Sequence, residues 1–200
     1  MKSYWIWIRQ ALIPLAVTYG VPVLILLTWM IDGELDFKSF ARFIMAYGMA
    51  FSFLMSPMMM FNPVYLALSL GETRKGAWRG LMLSRILYAV VMAVTASFVL
   101  WYCDAVVDAG FLLILVTYLG LQLTMAGIGG LTDCLLLRLG RKYIYLALII
   151  LFFSIPHVLL MMIVGEFPFV SGIALAEGLI LAVVSAYVQK KTLNTWNVQA

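Results

Sequence analysis

Long apolar stretches alternate with short polar segments along this chain. The apolar stretches are about 21 residues each, and most charged residues fall in the polar segments. At roughly 1.5 Å of rise per residue, such a stretch crosses a hydrocarbon core of about 30 Å as a helix, which satisfies its own backbone hydrogen bonds in lipid. The pattern predicts an all-α, polytopic membrane protein with one transmembrane domain, 1–200, and six transmembrane helices: 11–31, 41–61, 81–102, 111–131, 143–164 and 168–188.

The basic residues alternate between the two sides of this predicted membrane. Eleven of the 13 lysines and arginines lie in or beside the first, third, fifth and seventh polar segments. The other segments hold only Lys38 and Arg42, with six of the nine acidic residues. The positive-inside rule then places both termini of this multi-pass protein in the cytoplasm. We expect the membrane to be a bacterial cytoplasmic membrane. The net charge of +4 is explained by contact with anionic membrane lipid, and it does not indicate a nucleic-acid partner.

The N-terminal residues 3–10 precede the first span and predict a short amphipathic helix in the inner interface. At 100° per residue, Tyr4, Trp7 and Ile8 share one face, while Lys2 and Arg9 share the other. Such a helix either anchors the first span or passes cytoplasmic movement to the membrane, and the sequence leaves both functions open.

The inner segment 62–80 carries the strongest local signal. Pro63 ends the second span, Gly71 breaks the chain, and Thr73 is placed to cap a short helical turn that carries Arg74, Lys75, Trp78 and Arg79. Cations around an indole suit contact with a protein partner, because Trp and Arg dominate interface hot spots. They equally suit a membrane re-entry point with snorkelling cations and an interfacial Trp, so two interpretations stand.

Two stretches of the chain resemble the permease subunits of ABC-2-type ATP-binding-cassette transporters. The first is LALSLGETRKGAWRG, and many of these permeases carry a Ser-x-Gly-x-Thr-Arg-Lys segment between their second and third helices. The second is LLLRLGRKYIY, which resembles the segment that enters their fifth helix. The matching positions are Ser69, Gly71, Thr73, Arg74 and Lys75 in the first stretch and Arg138, Gly140, Arg141 and Lys142 in the second.

The resemblance implies a transport subunit. In such permeases the first inner loop forms a coupling helix on a separate ABC ATPase dimer, which binds ATP and Mg. A second permease chain, identical or paralogous, completes the export path, here for an amphipathic or hydrophobic substrate such as a peptide, a toxin or a lipid-like molecule. The coupling loop that the resemblance implies comprises Ser69, Gly71, Glu72, Thr73, Arg74, Lys75, Trp78 and Arg79.

The sequence itself predicts no cofactor and no catalysis on this chain. GETRKGAW begins like a phosphate-binding loop, but Ala77 and Trp78 stand where Lys and Ser or Thr are needed. Cys103 and Cys134 fall at opposite ends of spans, which is too far apart for a disulfide, and neither has metal-site spacing. One histidine and one deep acidic residue also leave a membrane-embedded protease without its parts.

Three polar residues lie deep in predicted spans. His157 and Glu177 fall at a similar depth, roughly 10 to 14 Å below the outer surface, and Gln122 comes close to it. A charge at mid-span costs about 2.5 to 3.5 kcal/mol, so we expect Glu177 to be paired, protonated or in contact with water. The two ionisable residues either line a pathway or subunit interface or satisfy each other as an internal clasp.

Small residues on the last span predict a close helix contact. Gly172 with Ala176, and Ala174 with Gly178, have small-xxx-small spacing.

An alternative function also fits the size and the number of spans. The small substrate-binding membrane subunit of a vitamin or metal uptake transporter has six helices in about 200 residues. That alternative predicts a polar pocket beneath the outer loops and less use of the segment TRKGAWRG.

Overall fold

The computed structural model describes residues 2–32, 66–103, 110–139 and 168–195, with short pieces between 37 and 48 and residue 64. Every element of regular structure in these residues is helical, which confirms the all-α class. The long helices are α1 (Lys2–Asp32), α2 (Arg74–Tyr102), α3 (Phe111–Leu139) and α4 (Pro168–Thr195).

Three of these helices are long and apolar enough to cross a membrane. They are α2, the Phe111–Leu135 part of α3 and the Ser171–Thr195 part of α4. The 29 residues of α2 extend about 43 Å, which exceeds the hydrocarbon core and reaches the headgroups. These helices coincide with the predicted third, fourth and sixth spans, which supports a membrane protein. The predicted fifth span, 143–164, and most of the second, 41–61, lie outside the described residues.

The helices extend beyond the predicted spans. α2 begins at Arg74 instead of residue 81, so the last residues of the predicted inner loop belong to the helix. α1 runs without a break through the predicted junction between residues 10 and 11, where no glycine or proline interrupts it. Helix ends follow capping residues and backbone breaks, whereas the predicted spans follow apolarity, and the two coincide only at some ends.

Glycines allow α3 and α4 to form the most extensive helix contact among the described helices. A Cβ placed on Gly178 lies 2.3 Å from the Gly120 carbonyl oxygen, and one placed on Gly120 lies 2.5 Å from the Ala174 carbonyl carbon. These distances leave no room for a side chain. The predicted contact through Ala174 and Gly178 is therefore confirmed, whereas Gly172 faces open space.

Hydroxyl groups join α1 to α2. The Thr18 and Tyr88 hydroxyls are 2.9 Å apart in a buried hydrogen bond, and those of Tyr19 and Thr95 form a second bond. Interhelical hydrogen bonds of this kind average about 0.6 kcal/mol in membrane proteins. These bonds fix the register of the two helices, which brings the first turns of α1 to the start of α2.

Candidate functional site at the basic end

Cationic side chains collect where α2 begins and α4 ends, and we call this part of the bundle the basic end. One Arg74 Nη donates to the Asn194 carbonyl oxygen at 2.6 Å, and Trp78 Nε1 donates to the Ala186 carbonyl oxygen at 3.1 Å. The two helix ends that the positive-inside rule assigns to one side of the membrane are thus in direct contact. The basic end is formed by Arg74, Lys75, Arg79, Lys190 and Lys191.

A defined turn leads the chain into α2. Ser69 Oγ donates to the Leu66 carbonyl oxygen at 2.8 Å, and Gly71 then adopts a φ of 84°, which favours glycine. Thr73 is extended, and its hydroxyl accepts a hydrogen bond from the Gly76 amide at 3.1 Å. The predicted capping role of Thr73 is confirmed, although it caps a membrane-length helix instead of a short turn.

Two cations, Arg74 and Lys75, occupy an electrostatically unfavourable position in the first turn of α2. A helix N-terminus carries a partial positive charge, so a cation there costs about 0.3 to 1 kcal/mol when exposed. Arg74 offsets this by donating to a carbonyl in the last turn of α4, where a cation is favourable. The side chains of Lys75 and Arg79 are exposed.

A buried tryptophan holds this segment against α1. Trp7 is 2% exposed, and a Cβ placed on Gly80 lies 2.3 Å from its indole, so only glycine fits at that position. The indole Nε1 also donates to Glu72 Oε2 at 3.4 Å. The sequence predicted only that Trp7 lies on one face of an interfacial helix. Residue spacing did not predict which residues contact Trp7. The apolar cluster around it contains Val64, Ala67, Ala77, Leu81 and Leu193.

A buried ion pair joins α2 to α3 beyond the first turns. One Arg85 Nη lies 2.5 Å from Asp133 Oδ2, and the two side chains are 10% and 0% exposed. Asp133 went unnoticed in the sequence because the predicted span ended at residue 131. A single acid in an apolar helix, near the same predicted side as Arg85, was the signal that could have identified it.

The ion pair belongs to a larger polar cluster that includes α4. A Cβ placed on Gly130 lies 2.1 Å from Ser185 Oγ, 2.2 Å from Gln189 Nε2 and 2.8 Å from one Arg85 Nη, so these groups converge on that glycine. Gln189 is fully buried, and neither polar atom of its amide has a hydrogen-bond partner among the described residues. The interface between α2, α3 and α4 therefore contains buried polar groups.

The predicted deep polar residues are only partly covered by the structure. Gln122 is fully buried and donates to the Tyr118 hydroxyl at 2.9 Å, one turn earlier on α3. Glu177 is half-buried on α4. His157 lies outside the described residues, so its contact with Glu177 stays a prediction. Of the second predicted basic segment, Arg138 is in the last turn of α3, and Gly140, Arg141 and Lys142 lie outside the described residues.

An apolar groove of about 500 Å³ lies between α2, α3 and α4. Its walls are almost entirely hydrocarbon, and the polar side chains among them include Arg85 and Ser185 from the cluster above. Trp78 lines the end of the groove nearest the basic end, and Lys190 Nζ lies 5.5 Å from the centre of its ring. The volume is within the range of small-molecule sites, about 300 to 1,000 Å³.

No group of three His, Cys, Asp or Glu side chains that could hold a metal ion occurs among the described residues. Cys103, at the end of α2, is partly buried, and burial raises the pKa of its thiol above the usual range. Comparison of the chain with protein-family models, curated proteins and solved structures found no match.

Proposed function

We propose that this chain is the permease subunit of an ABC transporter of the ABC-2 type. It couples ATP hydrolysis by a separate ATPase to the export of an amphipathic or hydrophobic substrate across the cell membrane. The observation that supports this best is the start of α2, where exposed Lys75 and Arg79 stand on the first turns of a membrane-length helix. This is the segment on which the resemblance to these permeases rests.

The anchoring of the segment suits the transmission of force. Arg74 and Trp78 bind α4, Gly80 packs against Trp7 of α1, and Arg85 pairs with Asp133 of α3. A partner that moves the basic end therefore acts on a rigid helix that touches the other three described helices. Two-state movement of packed helices is a common way to pass such a change across a protein.

In this proposal the chain performs no chemistry. The ATPase dimer binds ATP and Mg, and its closure moves the coupling loop. That movement shifts the helix bundle to a second arrangement. A second permease chain completes the export path, and both termini lie in the cytoplasm.

A photocrosslinking experiment tests the proposed ATPase contact. A photoreactive amino acid at position 75 of the tagged, full-length chain, illuminated in its native cells, is expected to yield an adduct with a protein that binds and hydrolyses ATP. The same amino acid at exposed Ile173, near the opposite end of α4, is the matched control and is expected to yield no such adduct. An adduct with lipid alone at position 75 would contradict the proposal.

Charge reversal gives a second, independent test. Arg74 and Trp78 contact α4, so their substitution would disturb packing, whereas Lys75 and Arg79 are exposed. We expect Lys75→Glu with Arg79→Glu to lower co-purification of the ATPase at least tenfold. Arg9→Glu reverses the charge of an exposed cation on α1, outside the basic end, and is expected to leave co-purification intact. Unchanged ATPase recovery with the double variant would show that the docking assignment is wrong.

A further inference from the structure

The groove between α2, α3 and α4 has the length of one membrane leaflet. Along α2 its lining runs from Trp78 to Val90, twelve residues apart, or about 18 Å at roughly 1.5 Å per residue. Half of a hydrocarbon core of about 30 Å is about 15 Å. Because the groove starts beside the basic end, it covers the depth of the leaflet on that side.

The groove opens sideways onto the surface of the bundle. Ile86 from α2 and Val183 from α4 both line it, yet they stay 57% and 68% exposed. A molecule can therefore enter from the lipid phase without crossing the helix contacts. Small side chains, such as those of Ala126 and Ala182, line the groove and leave the volume unfilled.

The charge at the groove entrance identifies the kind of ligand. Lys190 is exposed, and its ammonium group lies over the Trp78 ring, whereas Arg85 deeper in the groove is already paired with Asp133. We infer that this groove binds one acyl chain of an anionic phospholipid, with the headgroup phosphate at Lys190. The acyl chain packs against the apolar walls of the groove. The phosphate binds Lys190 at the level where the hydrocarbon core ends and the headgroups begin.

A second copy of this chain is a poorer occupant. Two copies inserted with the same topology have their basic ends on the same side of the membrane, so a symmetric contact across this groove would bring Lys190 near its equivalent. Like charges at that position repel, whereas a phosphate attracts. The inference does not depend on the proposed ATPase, and the purified chain alone is sufficient for its test.

Native mass spectrometry measures the proposed binding directly. The purified, delipidated full-length chain is incubated with phosphatidylglycerol or with phosphatidylcholine of identical acyl chains. We expect one phosphatidylglycerol to be retained preferentially, and Lys190→Gln to reduce that preference about fivefold, the effect of one lysine near an anionic surface. Lys191→Gln, an exposed neighbour, is the matched control and is expected to change the preference little. Equal retention of both lipids by the native chain would overturn the proposal.

Filling the groove tests the position of the acyl chain. Ala182 lines the groove, and Ala182→Phe is expected to lower the retention of both lipids several-fold. Ala176 is exposed on the same helix and does not line the groove, so Ala176→Phe is expected to leave retention unchanged. Equal retention by the two phenylalanine variants would place the lipid elsewhere and refute the assignment.

A disulfide test addresses the second copy as occupant. Val183→Cys, in a chain carrying Cys103→Ser and Cys134→Ala, is oxidised in phosphatidylglycerol vesicles. Recovery as a monomer is the result expected for a groove filled by lipid. A disulfide-linked dimer in high yield would show that a second chain covers the groove and would overturn the proposal.

Discussion

Removing one partner of the buried ion pair should destabilise the bundle strongly. Asp133→Leu leaves the guanidinium of Arg85, which is only 10% exposed, without the carboxylate at 2.5 Å. Breaking a buried ion pair from one side costs about 3 to 5 kcal/mol, because the remaining charge keeps its desolvation cost and loses the attraction of that partner. Arginine can extend toward the headgroups, which reduces the cost, so we expect about 3 kcal/mol.

The matching double variant separates the charge effect from the loss of packing. Arg85→Met together with Asp133→Leu removes both charges and keeps similar side-chain volumes, and such replacements are often neutral or stabilising. We expect its free energy of unfolding to lie within about 1 kcal/mol of the native value. The double variant should then be about 2 to 3 kcal/mol more stable than Asp133→Leu alone.

The assay is unfolding by SDS in mixed micelles, followed by far-ultraviolet circular dichroism. Lys191→Met, which removes an exposed cation, serves as the control and should change the free energy of unfolding by less than about 0.5 kcal/mol. The reasoning is refuted if Asp133→Leu costs less than about 1 kcal/mol, or if the double variant is no more stable than the single one.

Three further predictions concern other parts of the bundle. A membrane-impermeant maleimide added outside intact cells should label Cys103. The labelling rate should keep rising above pH 9, because a raised pKa of the thiol leaves little thiolate at lower pH. Labelling of Cys103 only in opened cells would show that the predicted topology is wrong. Gly178→Leu should separate α3 from α4 and lower the yield of folded protein in detergent, whereas Gly172→Leu, which meets open space, should behave like the native chain. Thr73→Ala should lower the free energy of unfolding by about 1 kcal/mol. A change near zero would show that the Thr73 cap does not stabilise α2.

The sequence predicted the three membrane-length helices α2, α3 and α4, because apolarity over about 20 residues is a strong and local signal. It places their ends less well. The predicted third span begins at residue 81, since Arg79 and Trp78 interrupt the apolar run, yet the helix begins at Arg74. The sequence did identify Thr73 as a cap. Because a helix starts at its capping residue and not where its apolar run begins, α2 starts before the predicted span.

Helix faces were harder to predict than helix existence. In a soluble protein the polar face marks the outside, but these helices are apolar on every side because lipid surrounds them. Helix contacts form instead at particular glycines and charged residues, such as Gly120 against Gly178 and Asp133 against Arg85. The spacing of Ala174 and Gly178 showed one of these faces, whereas the role of Trp7 depends on a glycine 73 positions away, which no local pattern shows.

The basic end and the groove share one helix, and this predicts that they influence each other. Lys75 stands at the start of α2, and the groove begins one turn later at Trp78, which is bonded to α4. A movement of α2 against α4 must therefore change the width of the groove. Coupling between two binding sites is reciprocal, so a lipid that favours one width also changes the affinity for a partner at Lys75. If both proposals hold, ATPase activity of the complex should differ between phosphatidylglycerol and phosphatidylcholine vesicles, and Ala182→Phe should abolish most of that difference while Ala176→Phe preserves it. Equal lipid dependence in the two variants would mean that α2 carries no signal between the sites.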